Sequence, residues 1–186
     1  LILNILNLIT MVATHSNMLP LGTKAPSFQL KDTCSEEMVH FSSETKGKGF
    51  LFAFICNHCP FVILLKHHFP SLFNKWSKKG LKIYAISAND SVKYPADSPE
   101  KMGFEAKHLD FDFPYLFDET QSVAQSFKAA CTPDFFLYNE EQELFYRGQY
   151  DDSRPGGNIN VTGNDIKNAV NLLLSGKNPP RNQSPS

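Results

Sequence analysis

Residues 54–62 read FICNHCPFV, and they set two cysteines, Cys56 and Cys59, three positions apart where a strand-forming run gives way to a helix-forming one. Upstream, GKGFLFAFI (47–55) is a continuous apolar run behind a glycine-rich turn, the pattern of a strand buried on both faces. Downstream, Phe61, Leu64, Leu65, Phe69, Leu72, Phe73 and Trp76 recur at helical intervals between lysines and histidines. That spacing predicts one amphipathic helix over 61–78, kinked at Pro70. His67 and His68, in its middle, read as solvent-facing. The two thiols then sit at the carboxyl end of a central strand, where α/β sheets collect their functional groups.

The pattern extends in both directions. Phe28–Leu30 and Val39–Phe41 suit a hairpin, with Cys34 as an idle thiol in its connection. LKIYAISA (81–88) is a second buried strand, and Ser98-Pro99-Glu100 opens a helix over 99–109. Residues 113–118 read as a short strand, 119–130 as a helix, and 134–139 with 143–148 as a hairpin across the turn NEEQ. Thr162 caps a last helix running to about Ser175. The order predicts an α/β sandwich around a mixed sheet, with one right-handed parallel crossover at the 56–59 segment. The expected organisation is a flexible extension over 1–17, one domain over 18–176 and a disordered tail over 177–186.

Composition narrows the function classes. The chain has 186 residues, 41% of them hydrophobic, enough for one core but thin for two. With 18 basic and 19 acidic residues the net charge is −1, so no general field gathers nucleic acid or an anionic membrane. Four cysteines, one close pair and two singletons, are too few for a secreted disulfide framework and point to chemistry. LILNILNLIT at the start is too short to span a bilayer and lacks the flanks of a signal peptide. The expected location is cytoplasmic, with export left open.

Two thiols at the opening of a helix meet the needs of a dithiol–disulfide couple. Unpaired N–H groups and the positive end of the helix dipole favour thiolate, lowering a cysteine pKa from ~8.5 by several units. On this reading Cys56 is the exposed nucleophile and Cys59, one turn deeper, resolves the mixed disulfide. His58 lies between them to support the Cys56 thiolate, beside Asn57, and Pro60 lacks only an N–H that a helix start leaves unpaired. Thr132-Pro133, directly before a strand, suits a cis bond shaping the substrate groove. Cys131 is either an alternative resolving thiol or a small buried hydrophobe. Zinc needs four ligands, and Cys56, Cys59, His58 and His67 form no complete set, so neither metal nor cofactor is expected. Asp151, Asp152 and Arg154 read as a solvated structural turn.

The combination FICNHCPFV, CTPDFFLY, YRGQYDDSRPG and VTG resembles the thioredoxin-fold proteins related to peroxiredoxins, the AhpC/TSA-related group with a Cys-x-x-Cys, from about Met18 to Pro180. The resemblance implies a thioredoxin-like fold with an N-terminal β-hairpin and an inserted strand–helix over 113–130. It gives Cys56 and Cys59 the dithiol positions and Pro133 the cis-proline position, and Cys59 also falls where a peroxiredoxin keeps its peroxidatic cysteine. It implies a thiol–disulfide oxidoreductase acting on protein or small-molecule disulfides with a thiol or reductase as electron donor, or alternatively a thiol-dependent peroxidase. A non-catalytic binding module is the remaining alternative. The sequence departs from peroxiredoxins in holding Phe52 and Cys56 where a proline and a hydroxyl residue precede the peroxidatic cysteine. The segment ahead of the 134–139 strand holds Lys128 but no arginine, and the first arginine in the chain is Arg147. From thioredoxin it departs in carrying Phe50 in place of a buried acid.

Overall fold

The computed structural model describes residues 14–186. Most of the stretch 1–17, read above as a flexible extension, therefore lies outside the described residues.

The buried run becomes β3 (Phe50–Phe54), and its neighbours explain why all five residues are buried. It pairs in parallel with β4 (Lys82–Ser87) and antiparallel with β6 (Asp134–Tyr138), so neither edge is open. Leu51 and Ala53 face one apolar cluster, and Phe50, Phe52 and Phe54 face another. The sheet has seven strands: β1 (Phe28–Asp32), β2 (Met38–Phe41), β3, β4, β5 (Tyr115–Phe117), β6 and β7 (Leu144–Gly148), in spatial order β2-β1-β5-β4-β3-β6-β7. Two adjacent pairs are parallel, β3 with β4 and β4 with β5, where the sequence pattern had suggested one parallel crossover. The three-residue β5 carries too little pattern to reveal its partner.

On the first face Phe69, Phe73 and Trp76 join Met102, Ile166 and Val170. On the other, hairpin residues Phe28 and Phe41 meet Phe127, with Phe52 and Tyr84 stacked at 5.3 Å between centroids. Each fully buried ring of this kind stabilises the fold by about 1.5–3 kcal/mol.

The predicted long helix is two. Helix α1 (Pro60–Leu65) passes through a 3-10 turn at Lys66–His68 into α2 (Phe69–Ser77). The break falls one turn ahead of Pro70, because the proline has no N–H for the Lys66 carbonyl and its ring would strike that carbonyl. Helix α3 (Pro99–His108) starts as expected, with Ser98 Oγ accepting the Lys101 N–H at 3.4 Å. Helix α4 (Ser122–Phe127) is shorter than the predicted 119–130, since Gln121 and Lys128 at its ends take left-handed backbone. Helix α5 (Asn164–Leu174) is N-capped by Gly163 at φ +65, one residue after Thr162, whose hydroxyl still accepts the Asn164 N–H at 3.3 Å. The arrangement is a thioredoxin-like α/β fold with an N-terminal hairpin and an inserted strand–helix.

Within residues 177–186, where composition predicts disorder, Gln183 and Ser184 lie against β7 and the residue after it. Gln149 N–H donates to Ser184 O at 2.9 Å, and Gln183 accepts from Arg147 at 2.7 Å. β7 is an edge strand, so its unpaired backbone groups offer what a polar tail needs. Ser186 N–H in turn donates to Ser16 Oγ at 2.6 Å, bringing the described start of the chain to the same place.

Candidate active site

The local path of the chain decides which sulfur meets the helix. Ile55 N–H still donates to Ile86 O at 2.9 Å, so strand-like pairing continues one residue beyond β3. Residues 56–59 then form an irregular turn, and α1 begins at Pro60 with Cys59 as its N-cap. The helix starts within one residue of the expected 61, but the expectation gave its opening to the wrong cysteine. Cys59, not Cys56, stands at the positive end of the helix, and it is half-buried while Cys56 is only 1% exposed. The exposed-nucleophile position assigned to Cys56 is thus corrected: Cys56 lies behind Cys59, under the turn. Pro60 occupies the first helical position, as its missing N–H allows.

The turn is held by a residue that sequence reasoning missed. Asp97 is fully buried; its Oδ1 accepts the backbone N–H groups of Asn57 at 2.7 Å and His58 at 3.2 Å. Its Oδ2 accepts from His58 Nδ1 at 2.5 Å and from Asn89 Nδ2 at 2.9 Å. His58 therefore gives Nδ1 to a carboxylate and stacks on Tyr94 at 4.3 Å, where the sequence had suggested support for a Cys56 thiolate. Asn57 fastens the turn further, donating to Ala96 O at 2.9 Å and accepting the Tyr115 hydroxyl at 3.1 Å. No local pattern marks Asp97, since the turn it holds, Asn57 and His58, lies about forty residues away.

Thr132 brings the two sulfurs together from the opposite side. Its hydroxyl lies 3.4 Å from Cys56 Sγ, and its carbonyl accepts from Cys59 Sγ at 3.1 Å. The Thr132–Pro133 bond is cis. Cys56 and Cys59 also share a hydrogen bond, and this sharing is the largest influence on both. Hydrogen bonding from the Cys56 thiol favours the Cys59 thiolate, pulling its pKa down to about 5. The Thr132 hydroxyl and the N–H groups of Val62 and Phe61 act in the same direction, against partial burial. The carbonyl contact favours the thiol form, but several donors outweigh one acceptor. Cys56 is correspondingly pushed far up, by its role as donor and then by burial.

Cys59 opens onto a cavity of about 350 Å³ whose walls include Phe61, Leu65, Thr132, Pro133 and Tyr150. Cys131 lines the same space, its Sγ 3.6 Å from Pro133 O, with its pKa raised to about 12 chiefly by burial. Arg154 lines it too. The loop 151–154, read from sequence as a structural turn, divides in role. Asp151 is structural: its carboxylate accepts the Gly163 and Thr162 N–H groups at 2.5 and 2.6 Å, ahead of α5, and those of Ser153. Arg154 faces the cavity, and the cue available beforehand was a charged loop rich in glycine and proline after a strand. His68, expected in solvent, hydrogen-bonds the Tyr150 hydroxyl at 2.8 Å, whereas His67 is exposed. Cys34 is half-buried, its Sγ 3.8 Å from Gly103 O.

One further grouping has metal-ligand character: Cys56, His58 and Asp97 place ligand atoms within 4.8 Å of one another. The Asp97 oxygens are already shared among four N–H donors, so the geometry is that of a hydrogen-bonded anchor. Among the described residues no helix is long and apolar enough to cross a membrane.

With a cysteine at a helix start facing a cis-proline beside a mixed sheet, comparison with known proteins becomes informative. The family model described as the AhpC/TSA family matches residues 21–147. The chain belongs to the AhpC/TSA family. Among solved structures, an uncharacterized conserved protein from Geobacillus kaustophilus is 44% identical, with a TM-score of 0.89 over 93% of this chain and 92% of that one. A hypothetical protein from Sinorhizobium meliloti 1021 is 41% identical, with a TM-score of 0.90 over 94% of both chains. The thiol-disulfide oxidoreductase ResA from Halalkalibacterium halodurans is 24% identical over 123 residues, 66% of this chain. That match spans 65% of the relative's length.

Proposed function

We propose that this AhpC/TSA-family chain is a thiol–disulfide oxidoreductase in which Cys59 attacks and Cys56 resolves, the reverse of the order suggested by the motif alone. The observation that carries this is where the two sulfurs sit: Cys59 is the N-cap of α1 and lines the cavity, while Cys56 is only 1% exposed, and Thr132 contacts both.

The Cys59 thiolate attacks one sulfur of a disulfide RS–SR, forms the mixed disulfide Cys59–SR and expels RS⁻, which takes a proton from water. Cys56 then has no thiolate to donate to, so the largest influence raising its pKa is gone. Its proton leaves to solvent and the Thr132 hydroxyl, 3.4 Å away, supports the resulting thiolate. That thiolate attacks the Cys59 sulfur, closes Cys56–Cys59 and expels the second RS⁻. The dithiol loses two electrons and the substrate gains them. A thiol or a reductase restores the dithiol, and a reducing compartment such as the cytoplasm suits the cycle.

Trapping tests the assignment. Mixed with a disulfide substrate, Cys56→Ser accumulates a mixed disulfide at Cys59, and Cys59→Ser accumulates none. A mixed disulfide trapped on Cys56 in Cys59→Ser would reverse the roles.

Family membership and the presence of Arg154 on the cavity favour a second reading, a thiol peroxidase. Here the Cys59 thiolate attacks a peroxide oxygen, releases water or alcohol and becomes a sulfenic acid, which Cys56 condenses to a disulfide with loss of water. Thiol-coupled peroxide consumption, set beside reduction of insulin or of a glutathione mixed disulfide, separates the two.

A further inference from the structure

The wall of the Cys59 cavity carries a fixed cation. Arg154 Nη1 donates to the backbone carbonyls of Asp151 and Ser153, both at 2.8 Å, and Nη2 donates to Gln149 Oε1 at 2.6 Å. Gln149 is itself held, its Nε2 donating to Asp152 at 2.8 Å and Asp165 at 2.6 Å. All three acceptors of the guanidinium are neutral, and among the described residues no carboxylate lies within salt-bridge distance of it. The nearby Asp151 carboxylate is spent on the backbone ahead of α5. Three of the five guanidinium N–H groups are used to orient the plane, leaving one on Nε and one on Nη2. The same wall carries His15 and Asp151 beside the apolar Phe61, Leu65 and Pro133, and Asp151 is turned to the backbone, so Arg154 is the group on it with charged donors to offer; a planar guanidinium pairs best with a carboxylate.

We propose that Arg154 makes Cys59 selective for small disulfides that carry a carboxylate. The inference rests on the exchange chemistry of Cys59 given above and adds the substrate class to it. A cavity of about 350 Å³, at the small end of the ~300–1,000 Å³ range of ligand sites, lets one compact molecule reach both groups. Its sulfur meets Cys59 between Phe61 and Pro133 while its carboxylate meets Arg154.

The test measures the second-order rate at which reduced, full-length protein loses the Cys59 thiolate to three disulfides of similar size. These are 3,3′-dithiodipropionate (anionic), 2-hydroxyethyl disulfide (neutral) and cystamine (cationic), each rate being divided by that for a small free thiol. The expected order is anionic, then neutral, then cationic. Arg154→Gln slows the anionic substrate about tenfold, the effect of one charged hydrogen-bonded contact, and leaves the neutral one within about twofold. Arg154→Lys, which keeps charge without the fork, recovers part of the loss, and added salt erodes the preference. An equal slowing of all three by Arg154→Gln would mean that Arg154 only braces its loop, and a charge-blind wild type would likewise overturn the proposal. If none of the three oxidises Cys59 at all, the exchange reading itself fails, a result distinguishable from loss of selectivity.

Discussion

Asp97 accepts the backbone N–H of Asn57 at 2.7 Å, tying the carboxyl end of β3 to the 3-10 turn at Pro95–Asp97. One buried carboxylate thereby fixes the backbone between the two sulfurs. Replacing it with alanine strands two half-buried N–H donors and the His58 ring. Asp97→Ala is expected to lose roughly 3 kcal/mol or more of unfolding free energy, and Asp97→Asn, which keeps one acceptor, roughly half of that. Urea unfolding measures both. A loss below about 0.5 kcal/mol in Asp97→Ala would show that the turn holds without its anchor.

The shared proton sets a pH profile. Alkylation of the wild type by iodoacetamide is expected to rise with pH around a midpoint near 5, the value toward which Cys59 is pulled, and Cys59→Ser should abolish this phase. Because the Cys56 hydrogen bond is the largest contributor, Cys56→Ala should move the midpoint up by about one unit or more, although Thr132 and the helix N–H groups remain. An unchanged midpoint in Cys56→Ala would remove Cys56 from the account.

These two residues also mark what the sequence could and could not reveal. The run at 47–55 announced a central strand because both its faces are covered, and a period of 3.6 announced the helical segment that follows. Those are local patterns, and they carried the fold. Which sulfur occupies the helix start depended on a difference of three residues in an irregular turn, a resolution that periodicity does not have. The turn is set by Asp97, some forty residues downstream, whose surroundings PADSPE carry only a helix-start signal. Arg154 reaches the cavity because the long loop after β7 folds back toward α5, and Gln149 and Asp151 direct it there through contacts no spacing rule encodes.

The tail on β7 depends on a missing side chain. Gly148 has φ +123, and a Cβ there would lie 1.9 Å from Ser184 O. Gly148→Ala is expected to displace residues 183–186 from β7, and to cost about 1 kcal/mol or more through backbone strain as well. Limited proteolysis reads the displacement directly: the variant's tail should be cut several-fold faster. Equal cleavage rates would mean that the tail is not held by this contact.

Asp134 opens β6 beside Cys131 and is buried, with Oδ2 accepting the Ala130 N–H at 3.2 Å and Oδ1 without a hydrogen-bond partner among the described residues. Burial raises its pKa from 3.8 to about 7. The native state therefore binds this proton more tightly than the unfolded chain does. The resulting stabilisation is complete below the unfolded value near 3.8 and is lost as pH climbs through about 7. At 1.36 kcal/mol per unit, the change across that window has a ceiling of about 4 kcal/mol. Unfolding free energy of the wild type should fall between pH 4 and 7 by a few kcal/mol from this source. Asp134→Asn, neutral throughout, should flatten the profile and become the more stable protein above pH 7. Parallel profiles for the two proteins would show that Asp134 reaches water or a partner that lets it ionise at its ordinary pH.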